Sequence, residues 1–314
     1  MARAQFPDEQ VAGQFKRQED AFRRWIGSGQ FPVEAGRYHL YVSLACPWAS
    51  RTVIVRRIKG LEDAVGMTVV DPVRDERGWA FRDGPGYSHD PVNGWTYLSE
   101  AYQATQPGYR GRVTVPILWD KKTRTIVSNS DDDIMRMLET EFDALSNDPE
   151  KARTLDLYPA QHRDEIEALN EWIYETLNNG VYEAGFATTQ RAYERAAYRV
   201  FETLDALEER LASRRYLVAP WPVETDWRAF VTLIRFDAVY HGHFKCNLRR
   251  IVDYPNLWGY VRDLYQYDGV AQTVDFDHIK RHYYYTHDEI NPTRIVPIGP
   301  VLDLTAPHGR QRLP

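Results

Sequence analysis

The apolar residues of this 314-residue chain change their spacing once, and that change decides what the chain can fold into. Up to about residue 143 the apolar stretches are short and mostly strand-like. From 158 to about 268 they recur three and four apart, as at Val200, Leu204, Leu207 and Leu211, which is the spacing of a helix with one buried face. In the first half, RYHLYVSLA reads as a strand, WASRTVIVRRIKGLE as a basic amphipathic helix and MTVVDPV as a second strand. VTVPILWDKKTRTIVS reads as a hairpin, and SNSDDDIMRMLETEF as a helix capped by small and acidic residues. The order β, α, β, hairpin, α predicts one small α/β domain over 37–145. It carries a Gly-, Pro-, Asp- and Tyr-rich loop insertion at 74–110. A polar linker at 146–157 leads to an all-helical domain at 158–290. The tail at 291–314 holds four prolines up to Pro307 and a fifth at Pro314, and cannot continue as a helix. Residues 1–36 form a polar arm with scattered aromatics that packs onto something.

Composition narrows the function. With 39 basic and 45 acidic side chains the net charge is −6, so the chain lacks the basic face of a nucleic-acid binder. No stretch approaches the roughly 20 apolar residues that cross a bilayer, and the N-terminus has no apolar run after its basic residue. The two cysteines, Cys46 and Cys246, lie two hundred positions apart and make no disulfide framework. A reducing cytoplasm suits such a chain.

Cys46 stands between a strand and a helix and is followed by Pro47, which favours the first helical turn because its missing N–H costs nothing there. A thiol at a helix N-terminus faces unpaired backbone N–H groups and the positive end of the helix dipole, and both favour thiolate over thiol. The position where a dithiol oxidoreductase would carry its second cysteine is Ala49. A mixed disulfide on Cys46 would therefore be resolved by an external thiol. Cys246, in HFKCNLRR, reads as a small apolar residue inside a helix. His241, His243 and Cys246 would not converge on one ion if they sat on a helix, so no metal site is expected. The run Asp131 to Asp133 lacks the spacing and glycine of a calcium loop. Arg56, Arg57 and Lys59 read as a solvated helix face.

Several blocks together resemble one family: RYHLYVSLACPWA, GWAF, VTVPILWD, NNGVYEAGFA, RFDAVYHGHFKCNLRR, DYPNLW, DFDHIKRHYY and NPTRIVPIGP. The chain is similar, in the same order from about residue 13 to residue 300, to the glutathionyl-hydroquinone reductases, the Xi class of glutathione transferases. The resemblance implies a thioredoxin-like N-terminal domain, an all-α C-terminal domain and a homodimer. The implied reaction turns a glutathionyl-hydroquinone plus glutathione into free hydroquinone and glutathione disulfide. Cys46 would be the nucleophile. Trp79 and Arg112 would hold the thiol. Val115 would pair with its backbone ahead of Pro116, a proline that is cis in thioredoxin-like folds. Tyr182, Tyr240 and Tyr283 would border the aromatic ring and supply hydroxyl donors.

One stretch departs from the family. Where the family carries approximately Asn-Glu-Ser-Ser-Glu-Ile to hold the γ-glutamyl end of glutathione, this chain has Asn129-Ser130-Asp131-Asp132-Asp133-Ile134. Ser130 replaces the acid, and Asp131 replaces the hydroxyl that would meet the ligand carboxylate. Like charges about 4 Å apart repel by several kcal/mol at a partly buried site. A thiol bearing hydroxyls, such as mycothiol with its glucosamine–inositol group, suits aspartate acceptors better than glutathione does. The same stretch also favours a second reading, a transferase-like binding or scaffold protein that has lost its thiol site. Dehydroascorbate or disulfide reduction by the exposed monothiol is a lesser alternative.

Overall fold

A computed structural model describes residues 9–314; the first eight residues of the arm lie outside the described part. The chain divides into two compact units. One comprises Glu19–Asp156 and Gln272–His282, the other the residues up to Gln18 together with Leu157–Ala271 and Tyr283–Pro314. The described residues begin in the second unit with a two-strand ribbon, β1 (Gln10–Val11) and β2 (Gln14–Phe15), paired antiparallel.

The first unit is built on a four-stranded sheet. Strand β3 (Tyr38–Val42) enters helix α1 (Pro47–Ile58), which returns the chain to β4 (Val65–Val69), parallel to β3. The hairpin β5 (Ile117–Asp120) and β6 (Thr125–Ser128) adds antiparallel strands, giving the order β4-β3-β5-β6. All five residues of β3 are buried, as expected for a central strand covered on both faces. Helix α3 (Asp131–Thr140) follows, with Ser130 as N-cap accepting the Asp133 N–H at 3.3 Å. The expected strands and helices of the α/β domain are thus in place.

The segment 74–110 is not all loop. It holds helix α2 (Ser99–Thr105), and the Glu100 carboxylate accepts the N–H groups of Thr96 and Tyr97, just ahead of the helix, at 2.9 and 3.0 Å. Nor is the stretch after α3 a plain linker, since Pro149 and the Asp148 cap start helix α4 (Pro149–Thr154). Lys59, expected to face solvent, is buried. Its ammonium donates to the Ala152 and Leu155 carbonyls at 2.6 and 3.1 Å and pairs with Asp143, capping the end of α4. Arg56 likewise turns inward onto the Val65 and Glu62 carbonyls, so only Arg57 of that run is exposed.

The second unit is helical: α5 (Arg163–Ile173), α6 (Gly180–Gly185), α7 (Gln190–Arg210), α8 (Glu224–Arg235) and α9 (Pro255–Tyr265), with α10 (Phe276–Thr286) running from the first unit into it. A π turn, Tyr174–Asn178, precedes α6, and another, Phe236–Tyr240, follows α8. Such turns insert an extra residue and rotate the side chains that come after. Every residue of α8 is buried. Cys246 is buried but not helical, because the chain leaves its π turn at Tyr240 and runs irregularly through 241–250. The helical spacing argument for His241, His243 and Cys246 therefore does not apply to this segment. Beyond α10 the tail carries no helix, and its Ile295, Ile298 and Val301 are exposed.

Candidate active site

Cys46 is the N-cap of α1, with extended backbone (φ −78°, ψ 120°), and Pro47 occupies the first helical position. The thiol is half-buried and donates to the Val115 carbonyl at 3.6 Å. The Val115–Pro116 peptide is cis, and the residues before it are fixed from two sides. The Tyr102 hydroxyl meets both the Thr114 N–H and carbonyl, and Asn129 donates to the Thr114 hydroxyl at 3.2 Å. Arg112 is half-buried two positions earlier, its carbonyl accepting from the Tyr109 hydroxyl.

Trp79 is buried against His282, the two rings stacked at 5.0 Å and 19°. His282 in turn donates Nδ1–H to the Pro72 carbonyl at 2.7 Å. Ser130 is spent as the α3 cap. Asp131 has a partner in the protein: the guanidinium of Arg51, 1% exposed, reaches it at 2.8 Å and Asp132 at 3.1 Å, while lying over the Trp48 ring. The isolated-carboxylate repulsion expected from the sequence is therefore softened by a buried cation. Asp133 pairs with Arg23 of the arm. Arg51 and His282 were not anticipated. Arg51 had a signal, being a lone charge in the otherwise small and apolar run PWASRTVIV, which flags a buried partner. His282 had none, because its neighbour Trp79 is two hundred positions away.

In the second unit Tyr182 (α6), Tyr240 (end of the second π turn) and Tyr283 (α10) come together by their hydroxyls. Tyr240 and Tyr283 are 2.9 Å apart and Tyr182 and Tyr240 3.5 Å, and Tyr182 is also hydrogen-bonded to Tyr283. Burial pushes Tyr240 and Tyr283 well above the ordinary phenol range; the neighbouring phenols add to this and the Arg235 cation opposes it. The hydroxyls of Tyr240 and Tyr283 therefore stay protonated near neutral pH. Beside them His243 and His287 are 3.2 Å apart, both buried, and desolvation lowers His243 to about 3, so it is uncharged at neutral pH. No group of three metal-ligating side chains is placed to hold an ion among the described residues.

The two thiols differ sharply. Burial pushes Cys246 up to about 12, leaving it almost without thiolate at neutral pH. Alkylation with iodoacetamide at pH 7.5 is expected to modify Cys46 at least ~100-fold faster than Cys246 until the protein is unfolded. Peptide mapping by mass spectrometry checks this, and comparable rates would contradict the placement of both residues.

Each half also matches a family model: residues 45–141 match "Glutathione S-transferase, N-terminal domain" and residues 190–263 "Glutathione S-transferase, C-terminal domain". A thioredoxin-like sheet unit joined to an all-helical unit is the glutathione transferase architecture, and that is the class of this protein. Among named relatives, the chain is 50% identical over 315 residues to glutathionyl-hydroquinone reductase YqjG of Escherichia coli, covering 97% of this chain and 94% of that protein. It is 48% identical to glutathionyl-hydroquinone reductase PcpF of Sphingobium chlorophenolicum, covering 96% and 94%. Its structure is similar to that of the Xi glutathione transferase from Phanerochaete chrysosporium (TM-score 0.89, 51% identity, 91% and 98% covered). It is also similar to glutathione-bound YqjG (TM-score 0.88, 50% identity, 92% and 96% covered). The chain belongs to the glutathionyl-hydroquinone reductases, the Xi class of glutathione transferases.

Proposed function

We propose that this protein is a Cys46-dependent reductase that cleaves thiol-conjugated hydroquinones, using a low-molecular-weight thiol as reductant. The observation that carries the reading is Cys46 itself, half-exposed at the start of α1 beside the cis Val115–Pro116 peptide, in a chain whose other thiol is buried. The Cys46 thiolate attacks the sulfur of the conjugate. A Cys46–S–S–thiol bond forms, the sulfur–aryl bond breaks, and the aryl carbon takes the electron pair and a proton to become free hydroquinone. A second thiol then attacks the mixed disulfide, releasing the symmetrical disulfide and returning Cys46 as thiolate. Two sulfurs are oxidised and one aryl carbon is reduced. In this reading the hydroxyls of Tyr182, Tyr240 and Tyr283 donate to the departing aromatic or to its ring oxygen, the role the family resemblance implies.

The reductant's cysteinyl part docks beside Val115, with Trp79 and Arg112 at its flanks. Its other end meets Ser130 and Asp131, and here the chain differs from a γ-glutamyl site. Arg51 offsets part of the Asp131 charge, yet the Asp131 carboxylate remains an acceptor, which suits hydroxyls better than a carboxylate. YqjG was solved with glutathione bound. For this chain, glutathione and mycothiol are the two reductants to compare. Loss of one charge-assisted contact costs about 1.5–3 kcal/mol, roughly a 10- to 150-fold weaker apparent affinity for glutathione. Turnover with mycothiol on a mycothiol conjugate is expected to exceed turnover with glutathione on a glutathione conjugate. Ser130→Glu with Asp131→Ser should partly restore glutathione use, Arg51 keeping Asp132 as its partner. Sub-millimolar saturation with glutathione in the unmodified protein would overturn this assignment, while absence of turnover with both thiols would favour the scaffold reading.

The cycle needs a reducing compartment, consistent with the cytoplasm. No helix among the described residues is long and apolar enough to cross a membrane. A homodimer belongs to the same reading, as the family resemblance implies.

A further inference from the structure

The N-terminal segment that the reaction does not use is attached at several points to the short helix that bears Tyr182. The turn of the β1–β2 ribbon lies against Thr189: a Cβ added at Gly13 would come within 2.7 Å of the Thr189 side chain, and the Gly13 carbonyl accepts the Thr188 N–H at 3.1 Å. Gln10 donates to the Phe186 carbonyl at 3.2 Å, and Phe15, 3% exposed, packs edge-on against the Phe186 ring at 5.3 Å. Phe186 in turn lies 5.9 Å from the Tyr182 ring. Past this ribbon, Arg17 reaches the functional helix directly. Its guanidinium carbon sits 5.1 Å from the centre of the Tyr182 ring and 5.3 Å from that of Phe15, and its Nε donates to the Asn179 side chain at 3.3 Å. Asn179 is the N-cap of α6, and its carbonyl accepts the Tyr182 N–H.

α6 is only six residues long and follows a π turn, so its own backbone bonds hold Tyr182 weakly in rotation and tilt. The attachments close that gap from outside, through Phe186 after the helix, Asn179 before it and the Tyr182 ring between them. Arginine suits the last position for two reasons. Its planar guanidinium covers an aromatic face while still donating sideways, which a lysine ammonium does less well. A permanent cation on the face of a phenol also attracts electron density from the ring, so the hydroxyl gives up a proton more readily.

We propose that residues 10–17 are a clasp on α6 and that Arg17 is a positioning residue for the reductase, holding the Tyr182 hydroxyl among those of Tyr240 and Tyr283 and strengthening it as a donor to the departing hydroquinone. This rests on the reading of the reaction above, in which only the first half-reaction needs that donor. Reduction of the Cys46 mixed disulfide by a second thiol releases no carbon leaving group and does not.

The test separates the two half-reactions in single-turnover experiments on the full chain, with the conjugate of whichever thiol supports turnover. Arg17→Met keeps the bulk and loses the cation and the bond to Asn179. It is expected to slow hydroquinone release about tenfold while the thiol-dependent discharge of the mixed disulfide changes less than about twofold. Arg17→Lys, which keeps the charge, should recover at least about a third of the lost rate. Equal slowing of both steps, equal loss in the Met and Lys variants, or no slowing at all would overturn the proposal. A second readout does not depend on turnover: in protein carrying 3-fluorotyrosine, the Tyr182 resonance, identified by its absence in Tyr182→Phe, should shift and broaden in Arg17→Met. If the wild-type protein releases no hydroquinone, that resonance alone decides, and an unchanged signal in Arg17→Met would remove the clasp independently of the reaction.

Discussion

Cys46→Ala is expected to abolish release of hydroquinone from its thiol conjugate, by on the order of 10³-fold or more, while leaving the fold intact. The size follows from the chemistry, since the residue forms and breaks the covalent bond and nothing else in its unit can do so. Among the described residues the only other thiol, Cys246, is buried and pushed up to about 12. The fold should be spared because Cys46 is half-exposed and precedes a helix whose start is already set by Pro47 and by the Ser50 N–H and hydroxyl, both bonded to the Cys46 carbonyl at 3.0 Å. That carbonyl is unchanged by the substitution, so a stability change of about 1 kcal/mol or less is expected by thermal or urea unfolding. Hydroquinone release near the wild-type rate, followed by absorbance or chromatography, would refute the mechanism. Loss of activity accompanied by unfolding would show instead that Cys46 supports the structure.

The largest effect on stability is expected at Asp226. Its carboxylate is fully buried at the start of α8, where it accepts the N–H groups of Leu217 and Val223 at 2.9 and 2.8 Å and the hydroxyl of Tyr260 at 2.7 Å. These bonds fix the loop before α8, the helix start and α9 to one point. Asp226→Ala leaves three buried donors without an acceptor and a small cavity, a loss of about 3–5 kcal/mol. For a unit of this size that lowers the melting temperature by on the order of 10 °C. The same group gives a pH dependence of definite sign. Burial raises its pKa from 3.8 to about 6, the bonds to Leu217, Tyr260 and Val223 opposing the shift. Because the folded pKa is the higher one, the folded state binds the proton more tightly, so this group's contribution is fully present below pH 3.8 and is lost as pH rises to 6. Asp226→Asn removes this dependence. The stability difference between wild type and Asp226→Asn should therefore shift toward the asparagine variant between pH 4 and 6.5, by on the order of 3 kcal/mol at most. A flat difference across that range in urea titrations would contradict the buried, shifted carboxyl. A melting temperature unchanged in Asp226→Ala would contradict its bonding role.

Much of the α/β unit was legible because its signals are local. Strand, Cys-Pro and helix follow within a dozen residues, and Asp-Lys-Lys-Thr between two β-rich runs marks the hairpin. Ser130 announces α3 by the side-chain cap it makes. Helix α2 has no side-chain N-cap bond, and its Glu100 reaches back to Thr96 and Tyr97 in a stretch dominated by turn-forming residues, so the sequence shows no helix start there. The apolar spacing persists through FDAVYHGHF and so predicts a helix that runs on to Cys246. The π turn at Tyr240 ends the helix without a glycine or proline at its last residue. The sequence predicts a solvated Lys59 because the partners that bury it are the end carbonyls of a short helix ninety residues later.

The sequence by itself determined the chemistry available: one thiol at a helix start, no second thiol to resolve it, a proline opening the strand that faces it, and an acid cluster where a ligand carboxylate would be expected. These depend on residue identity and short spacing, which covalent geometry and helix dipoles translate into local structure. Only the tertiary structure decided which charges are neutralised and which hydroxyls meet. Arg51 and Asp131 are eighty positions apart, Tyr182 and Tyr283 a hundred and one, and Arg17 and Asn179 a hundred and sixty-two. Bringing such pairs together is not favoured by the pairs themselves, because each contact is worth little against the entropy of closing so long a loop. They meet because the apolar faces of the sheet and of helices α5 to α9 bury against their neighbours, and that burial is a sum over dozens of side chains that no short motif displays.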